Sequence, residues 1–327
     1  MFPRPAGALK CYIHTYHAVS IQDIGIATFL MLLWKDTYGP ETIAPDPPVG
    51  ASADVEPWRR WPRPPGGFVD LGCGNGLLTH ILISEGYTGH GFDLRARTSW
   101  THYPPSTQSH LVVRALDPTG SSSSSSSGGS AEAEADLLLP AGCFLIGNHA
   151  DELTPWVPLL ATRFHASGYL SIPCCAWALD ARFDRARDVP LCAVDAATLN
   201  LGAGEGGEGG EGSVNSSYAL YRVWLAALSV HCGWAVEVEV LRIPSTRNWA
   251  IVGEYTLSFH VPRGHWWRWW RVWLPLFFVS LGLSLIIGRK RVGSLDAASH
   301  NIEELIEGVR KRGQFKTRRP EGKAGDH

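Results

Sequence analysis

The chain has 327 residues, 45% of them hydrophobic, with a formal charge of -2 and a pI near 6.7. That length and apolar content suit a sizeable buried core and exclude a wholly disordered protein. The near-neutral balance excludes a chain-wide basic surface, so a nucleic-acid partner has to be met by local patches.

The apolar residues Ile21, Ile24, Ile26, Phe29, Leu30, Leu32 and Leu33 recur at helical spacing, with Ser20 placed as an N-cap. A Pro- and Gly-rich linker follows and closes an N-terminal region, 1–66. Phe68–Leu71 reads as a short buried strand ending in the glycine run GCGNG, and Leu77, Leu78, Ile81 and Leu82 then share one helical face that stops at Gly86. GHGFDLR, HLVVRALDP, CFLIGN and GYLSIPCC read as further strands. Low-complexity tracts at 118–135 and 201–213 cannot pack and are expected to be disordered insertions. Tyr218, Tyr221, Trp224, Leu225 and Leu228 trace another helix, and AVEVEVLRIP and NWAIVGEYT read as an antiparallel pair joined at STR. Strands alternating with helices and closed by a hairpin predict an α/β domain over 67–262, a mostly parallel doubly wound, Rossmann-like sheet.

In such a sheet a ligand binds beyond the carboxyl ends of the strands. Asp70, Gly72, Gly74 and Gly76 fall on the first turn of this kind, and glycines there let bare backbone approach the ligand. The dinucleotide fingerprint requires glycine at 77, which is Leu77, so a pyrophosphate site is disfavoured. The acid-x-G-x-G-x-G order resembles the first motif of class I S-adenosylmethionine-dependent methyltransferases. In that class Asp93, ending the second strand, accepts from ribose hydroxyls, and Asp117 reads the adenine edge. The alternative is a tight turn with Asp70 as a buried cap.

Longer strings narrow the resemblance. DIGIATFLMLLW, FVDLGCGNGLLTHILISEGYTGHGFDLRAR, LIGNHADELTPWVPLLA, IPCCAW, LRIPSTRNWAIVG and RRPEGKAGDH together resemble the eukaryotic tRNA (uracil-2'-O-)-methyltransferases that modify uridine 44 of serine tRNA. The resemblance implies a cytoplasmic enzyme that uses S-adenosylmethionine to methylate a ribose 2'-hydroxyl of tRNA. Two other readings are a membrane-tethered methyltransferase for a small molecule or lipid, and a cofactor-binding scaffold without turnover.

A ribose hydroxyl needs help to act as a nucleophile. The Lys-Asp-Lys-Glu tetrad of many 2'-O-methyltransferases cannot be complete here, because no lysine lies between Lys35 and Lys290. The local candidates are Asn148, His149, Asp151 and Glu152, with Asp151 or His149 as base and Asn148 beside the cofactor. Asp151 or Glu152 as a helix N-cap is the competing reading. Cys174 and Cys175 end a strand on the same rim. A metal site using Cys143 and His149 matches no standard zinc spacing, so no metal is expected. Arg247 is a candidate for RNA phosphate, as are Arg310, Lys311 and Arg312 in a basic tail spanning 289–327.

Seven cysteines without regular spacing, and no basic-then-apolar start, predict a reducing, cytoplasmic compartment. Against this, 263–288 is an apolar, Trp-rich insertion. Its 17 uncharged residues from Val272 to Gly288, with flanking tryptophans from Trp266 onward, admit a membrane anchor, a packed helix or an artefact of translated non-coding sequence.

Overall fold

The computed structural model describes residues 6–39, 56–119, 138–194, 216–254, 295–313 and 315. Its centre is a seven-stranded sheet of order β3-β2-β1-β4-β5-β7-β6. The strands are β1 (Phe68–Leu71), β2 (Gly89–Asp93), β3 (Leu111–Val113), β4 (Phe144–Asn148), β5 (Gly168–Ile172), β6 (Ala235–Val240) and β7 (Trp249–Glu254). The neighbouring pairs from β3 to β5 are all parallel, while β7 runs antiparallel to both β5 and β6. Strand order reverses at β1, with β2 on one side and β4 on the other, and the crevice at such a switch point is where ligands bind.

Alternation along the strands feeds two cores, one on each face of the sheet. Phe68, Phe144, Ile146, Leu170 and Ile172 pack against α1 (Ala6–Tyr38) and α2 (Leu77–Ser84) through Ile26, Leu30, Trp34, Leu78 and Leu82. Trp34 is fully buried, with its ring 5.0 Å from Tyr87 and 5.4 Å from Phe144. On the opposite face Val69, Leu71, Leu145 and Tyr169 meet α4 (Val157–Arg163), α5 (Ser217–His231) and α6 (Leu295–Arg312). Each large side chain buried completely contributes about 1.5–3 kcal/mol, so the α1 face is a structural half of the domain. A short α3 (Pro105–Gln108) precedes β3.

The structure departs from the sequence expectations at several ends. Ser20 does not start a helix; α1 is continuous from Ala6, and no proline between Ala6 and Ser20 interrupts it. β3 stops at Val113, well short of Pro118. The helix expected from Glu152 begins as a tight 3-10 turn over Asp151–Trp156, where Pro155 removes an amide donor, and becomes α4 only at Val157. The segment expected as a basic tail contains α6, which buries Ile302, Ile306 and Val309 on the sheet's second face. The low-complexity tracts, apart from Pro118 and Thr119, and the whole of 263–288 lie outside the described residues. Among the described residues no helix is long and apolar enough to cross a membrane.

Candidate active site

The turn between β1 and α2 holds three glycines with positive φ: Gly72 at 68°, Gly74 at 55° and Gly76 at 77°. Side chains rarely adopt that conformation. A Cβ built on Gly72 or Gly74 would meet nothing closer than 3.9 Å, so the space above these two is open. The loop is held from outside: the indole of Trp100 donates to the Gly74 carbonyl at 2.9 Å, and the hydroxyls of Ser99 and Tyr103 donate to that of Asn75 at 2.8 and 3.1 Å.

Above this loop lies a cleft of about 280 Å³. Gly72, Gly74 and Asp93 form one wall, His149, Asp151 and Glu152 the other, and Leu94, Leu116, Leu153 and Phe315 supply apolar surface. Asp93 Oδ2 accepts from the Gly74 amide at 3.0 Å, and its Oδ1 accepts from the Arg95 amide at 3.2 Å and lies 3.6 Å from Arg97. A carboxylate offers about four acceptor positions, so Asp93 ties the loop and retains capacity for a ligand hydroxyl.

Asp70 is 2% exposed and lies beneath the loop, outside the cleft lining, where its carboxylate accepts from Thr79 at 2.9 Å. Burial pushes its pKa up to about 7; the Thr79 bond opposes the rise, and the charges of Asp23 and Asp93 add to it. Asp23, buried on α1, is pushed up to about 6 by burial. Gly76 faces Leu111 and Trp100 instead of the cleft. Asp117 turns to Thr119, accepting from its amide at 2.9 Å and its hydroxyl at 2.6 Å, and the neighbouring Leu116 faces the cleft. Asn148 ends β4 with a buried side-chain oxygen that has no hydrogen-bond partner among the described residues.

His149 and Asp151 adopt positive φ, 53° and 46°. For residues with side chains this costs of order 1–3 kcal/mol, and here it turns both toward the cleft. Burial lowers the His149 pKa against the opposing charge of Asp151. Asp151 is not the N-cap of the 3-10 turn among the described residues; that position is Ala150, without a side-chain cap. Its Oδ1 instead accepts from the Cys174 thiol at 3.3 Å. Burial first, then Asp151 and Cys175, push the Cys174 pKa up to about 12. The ligating atoms of Asp151, Cys174 and Cys175 lie within 4.8 Å of one another, whereas Cys143 is fully buried at the other end of β4.

The basic candidates divide. Arg247 is half-buried with its guanidinium over the Tyr218 ring at 3.9 Å. Arg310 donates to the Thr119 carbonyl, and Arg312 pairs with Asp180 at 2.6 Å, so both fasten α6 to the body of the domain. Lys311 is 75% exposed, 3.8 Å from Glu307.

Several cleft residues were not singled out by the sequence. Arg97 and Arg114 line the wall near Asp93, and Phe315 enters from beyond α6, its ring 5.3 Å from Trp156. Arg97 stands four residues after Asp93, a spacing that could have pointed to it; Phe315 carried no such signal.

Residues 51–118, which contain the loop and Asp93, match a family model described as "Predicted AdoMet-dependent methyltransferase". A tRNA (uracil-O(2)-)-methyltransferase from Schizosaccharomyces pombe is 37% identical over 248 residues, 72% of this chain and 41% of that protein. This chain is a homologue of the tRNA (uracil-O(2)-)-methyltransferases. The proteins of the same name from Neurospora crassa and Yarrowia lipolytica are 37% and 34% identical, each over 71% of this chain and over 40% and 39% of their own lengths. The chain thus spans about two-fifths of these tRNA methyltransferases. No solved structure matches it.

The cleft fits the cofactor that the family model's description implies. The open backbone at Gly72 and Gly74 leaves room for a ligand's chain, Asp93 suits ribose hydroxyls, and Leu94, Leu116, Leu153 and Phe315 suit a flat heterocycle.

Proposed function

We propose that this chain transfers a methyl group from S-adenosylmethionine to a ribose 2'-hydroxyl of tRNA, at a uridine, with uridine 44 of serine tRNA as the target. The observation that carries this reading is one cleft bounded by a bare glycine loop with Asp93 on one wall and by His149 and Asp151 on the other. The names of the homologous proteins support the substrate. A tRNA substrate favours the cytoplasm as the compartment.

S-adenosylmethionine, when bound, supplies a methyl group on a positively charged sulfur. The protein's task is to hold the acceptor hydroxyl in line with that methyl and to take its proton. Gly72, Gly74 and Asp93 seat the cofactor, with Asn148 at the end of β4 offering an additional acceptor. Asp151, exposed on the facing wall, orients the ribose and accepts the hydroxyl proton. His149 stands beside it, and because burial lowers its pKa it is neutral at pH 7, with a ring nitrogen able to accept in turn.

Labelled methyl transfer to total tRNA, followed by mapping of the product, tests the proposal. Label on a ribose 2'-oxygen of serine tRNA is expected. Label confined to a base, or no transfer by protein that binds the cofactor product S-adenosylhomocysteine, overturns it.

A further inference from the structure

On the rim of the cleft the ends of β4 and β5 bring three ligand-type side chains together. Asn148 pairs with Ile172 in the sheet, and the His149 amide donates to the Ile172 carbonyl at 3.1 Å, so Asp151 follows one strand end and Cys174 and Cys175 the adjacent one. The turn after β5 is pinned on both sides of the cysteines. The Tyr218 hydroxyl donates to the Pro173 carbonyl at 2.7 Å, and the Trp177 amide donates to the Cys175 carbonyl at 3.1 Å. Asp151 is exposed and lines the cleft, while both cysteines are half-buried, so an ion reaches them from solvent.

The carboxylate oxygen and the two sulfurs lie within 4.8 Å of one another, and the Cys174 thiol already points its hydrogen at Asp151 across 3.3 Å. A tetrahedral zinc ion, with bonds of about 2.3 Å to sulfur and about 2.0 Å to oxygen, sets its ligands roughly 3.5–3.8 Å apart, so closure asks for movement of about 1 Å or less. Rotation of the cysteine side chains supplies that reach. Two sulfurs with one oxygen select a thiophilic cation such as Zn2+ over Mg2+ and Ca2+, which take oxygen ligands. On binding, both thiol protons pass to solvent, and the cation replaces the hydrogen now lying between Cys174 and Asp151. Three protein ligands leave a fourth position for water.

We propose that Asp151, Cys174 and Cys175 form an inhibitory site for Zn2+. Once coordinated, the Asp151 oxygen is committed to the metal and no longer accepts the proton of a ribose hydroxyl, so metal and methyl acceptor compete for one carboxylate. This inhibition rests on Asp151 as the proton acceptor of the proposed reaction; binding of the cation does not. Gly72, Gly74 and Asp93 lie on the opposite wall, so the cofactor's seat stays available.

The test uses the full chain, reduced and stripped of metal, with two readouts. Cd2+, which takes the same ligands, reports thiolate coordination by its ultraviolet charge-transfer absorption, with no need for turnover. Methyl transfer to tRNA is then followed with free Zn2+ held at micromolar levels by a chelating buffer. Wild type is expected to show the Cd2+ band and to lose at least tenfold in kcat with Zn2+, restored by excess chelator, while S-adenosylhomocysteine affinity stays within twofold. Excess Mg2+ is expected to inhibit less than twofold. In Cys175→Ser, and in the double variant that adds Cys174→Ser, the band and the zinc sensitivity are expected to fall, each protein being compared with its own metal-free rate. No band in wild type, or a band and inhibition that persist in the double variant, overturn the site. Zn2+ that binds there and leaves turnover unchanged or raises it overturns the inhibitory role. A band that needs both cysteines in a protein that methylates no tRNA supports the metal site and removes the methyltransferase reading.

Discussion

The amide of Gly74 points at the carboxylate of Asp93, 3.0 Å away, so the end of β2 holds the loop that follows β1. One acid both shapes the glycine turn and lines the cleft above it. Asp93→Ala is expected to weaken S-adenosylhomocysteine binding at least tenfold, read by calorimetry. Asp93→Asn, which can still accept from Gly74, recovers part of the loss.

Asp151 occupies a backbone conformation that asparagine tolerates better than alanine. Asp151→Asn is therefore the cleaner substitution. We expect kcat to fall about 100-fold, within the range for loss of a general base, with S-adenosylhomocysteine affinity within twofold of wild type. Single-turnover methyl transfer to tRNA checks this.

A methyl group at Gly76 meets Leu111 at 3.0 Å and Trp100 at 3.2 Å, at a φ of 77°. Gly76→Ala is expected to cost about 1–3 kcal/mol of stability, measured by denaturant titration.

Asp70 has a folded pKa near 7 against an ordinary value of 3.8, so between these values the folded state holds more protons than the unfolded state. Its contribution is unfavourable in sign: absent below about pH 4, it grows as pH rises and levels off above pH 7. The melting temperature of Asp70→Asn should therefore gain on wild type as pH rises across this window. Asp23→Asn should show the same trend, complete by about pH 6. Parallel melting curves for wild type and variants would sink both assignments.

The buried strand at Phe68–Leu71, the glycine turn and the closing hairpin were legible in the sequence because an apolar run and turn chemistry are local properties. What lies across the cleft from Asp93 was less so. The acids at 70 and 117 were read by their place in the chain, yet one is sealed under the loop by Thr79 and the other is turned aside to Thr119. Spacing along a strand does not say which way an end residue faces. In α6 the basic cluster drew attention to RNA, although Ile302, Ile306 and Val309 at helical intervals already marked a packed face. Arg310 and Arg312 are spent on holding that face in place.

Phe315 follows that helix into the cleft and meets Trp156 edge-on. Phe315→Ala is expected to reduce S-adenosylhomocysteine affinity about fivefold to tenfold, in line with an aromatic contact worth about 1 kcal/mol. Fold stability, followed by far-ultraviolet melting, should change far less.

Because Phe315 follows the seven described strands in chain order, a ribosome makes those strands before it supplies this side of the cleft. A chain that stops between α6 and Phe315 contains those strands and lacks that side chain. Such a chain is expected to hold the methyl donor more weakly than one that continues through Phe315.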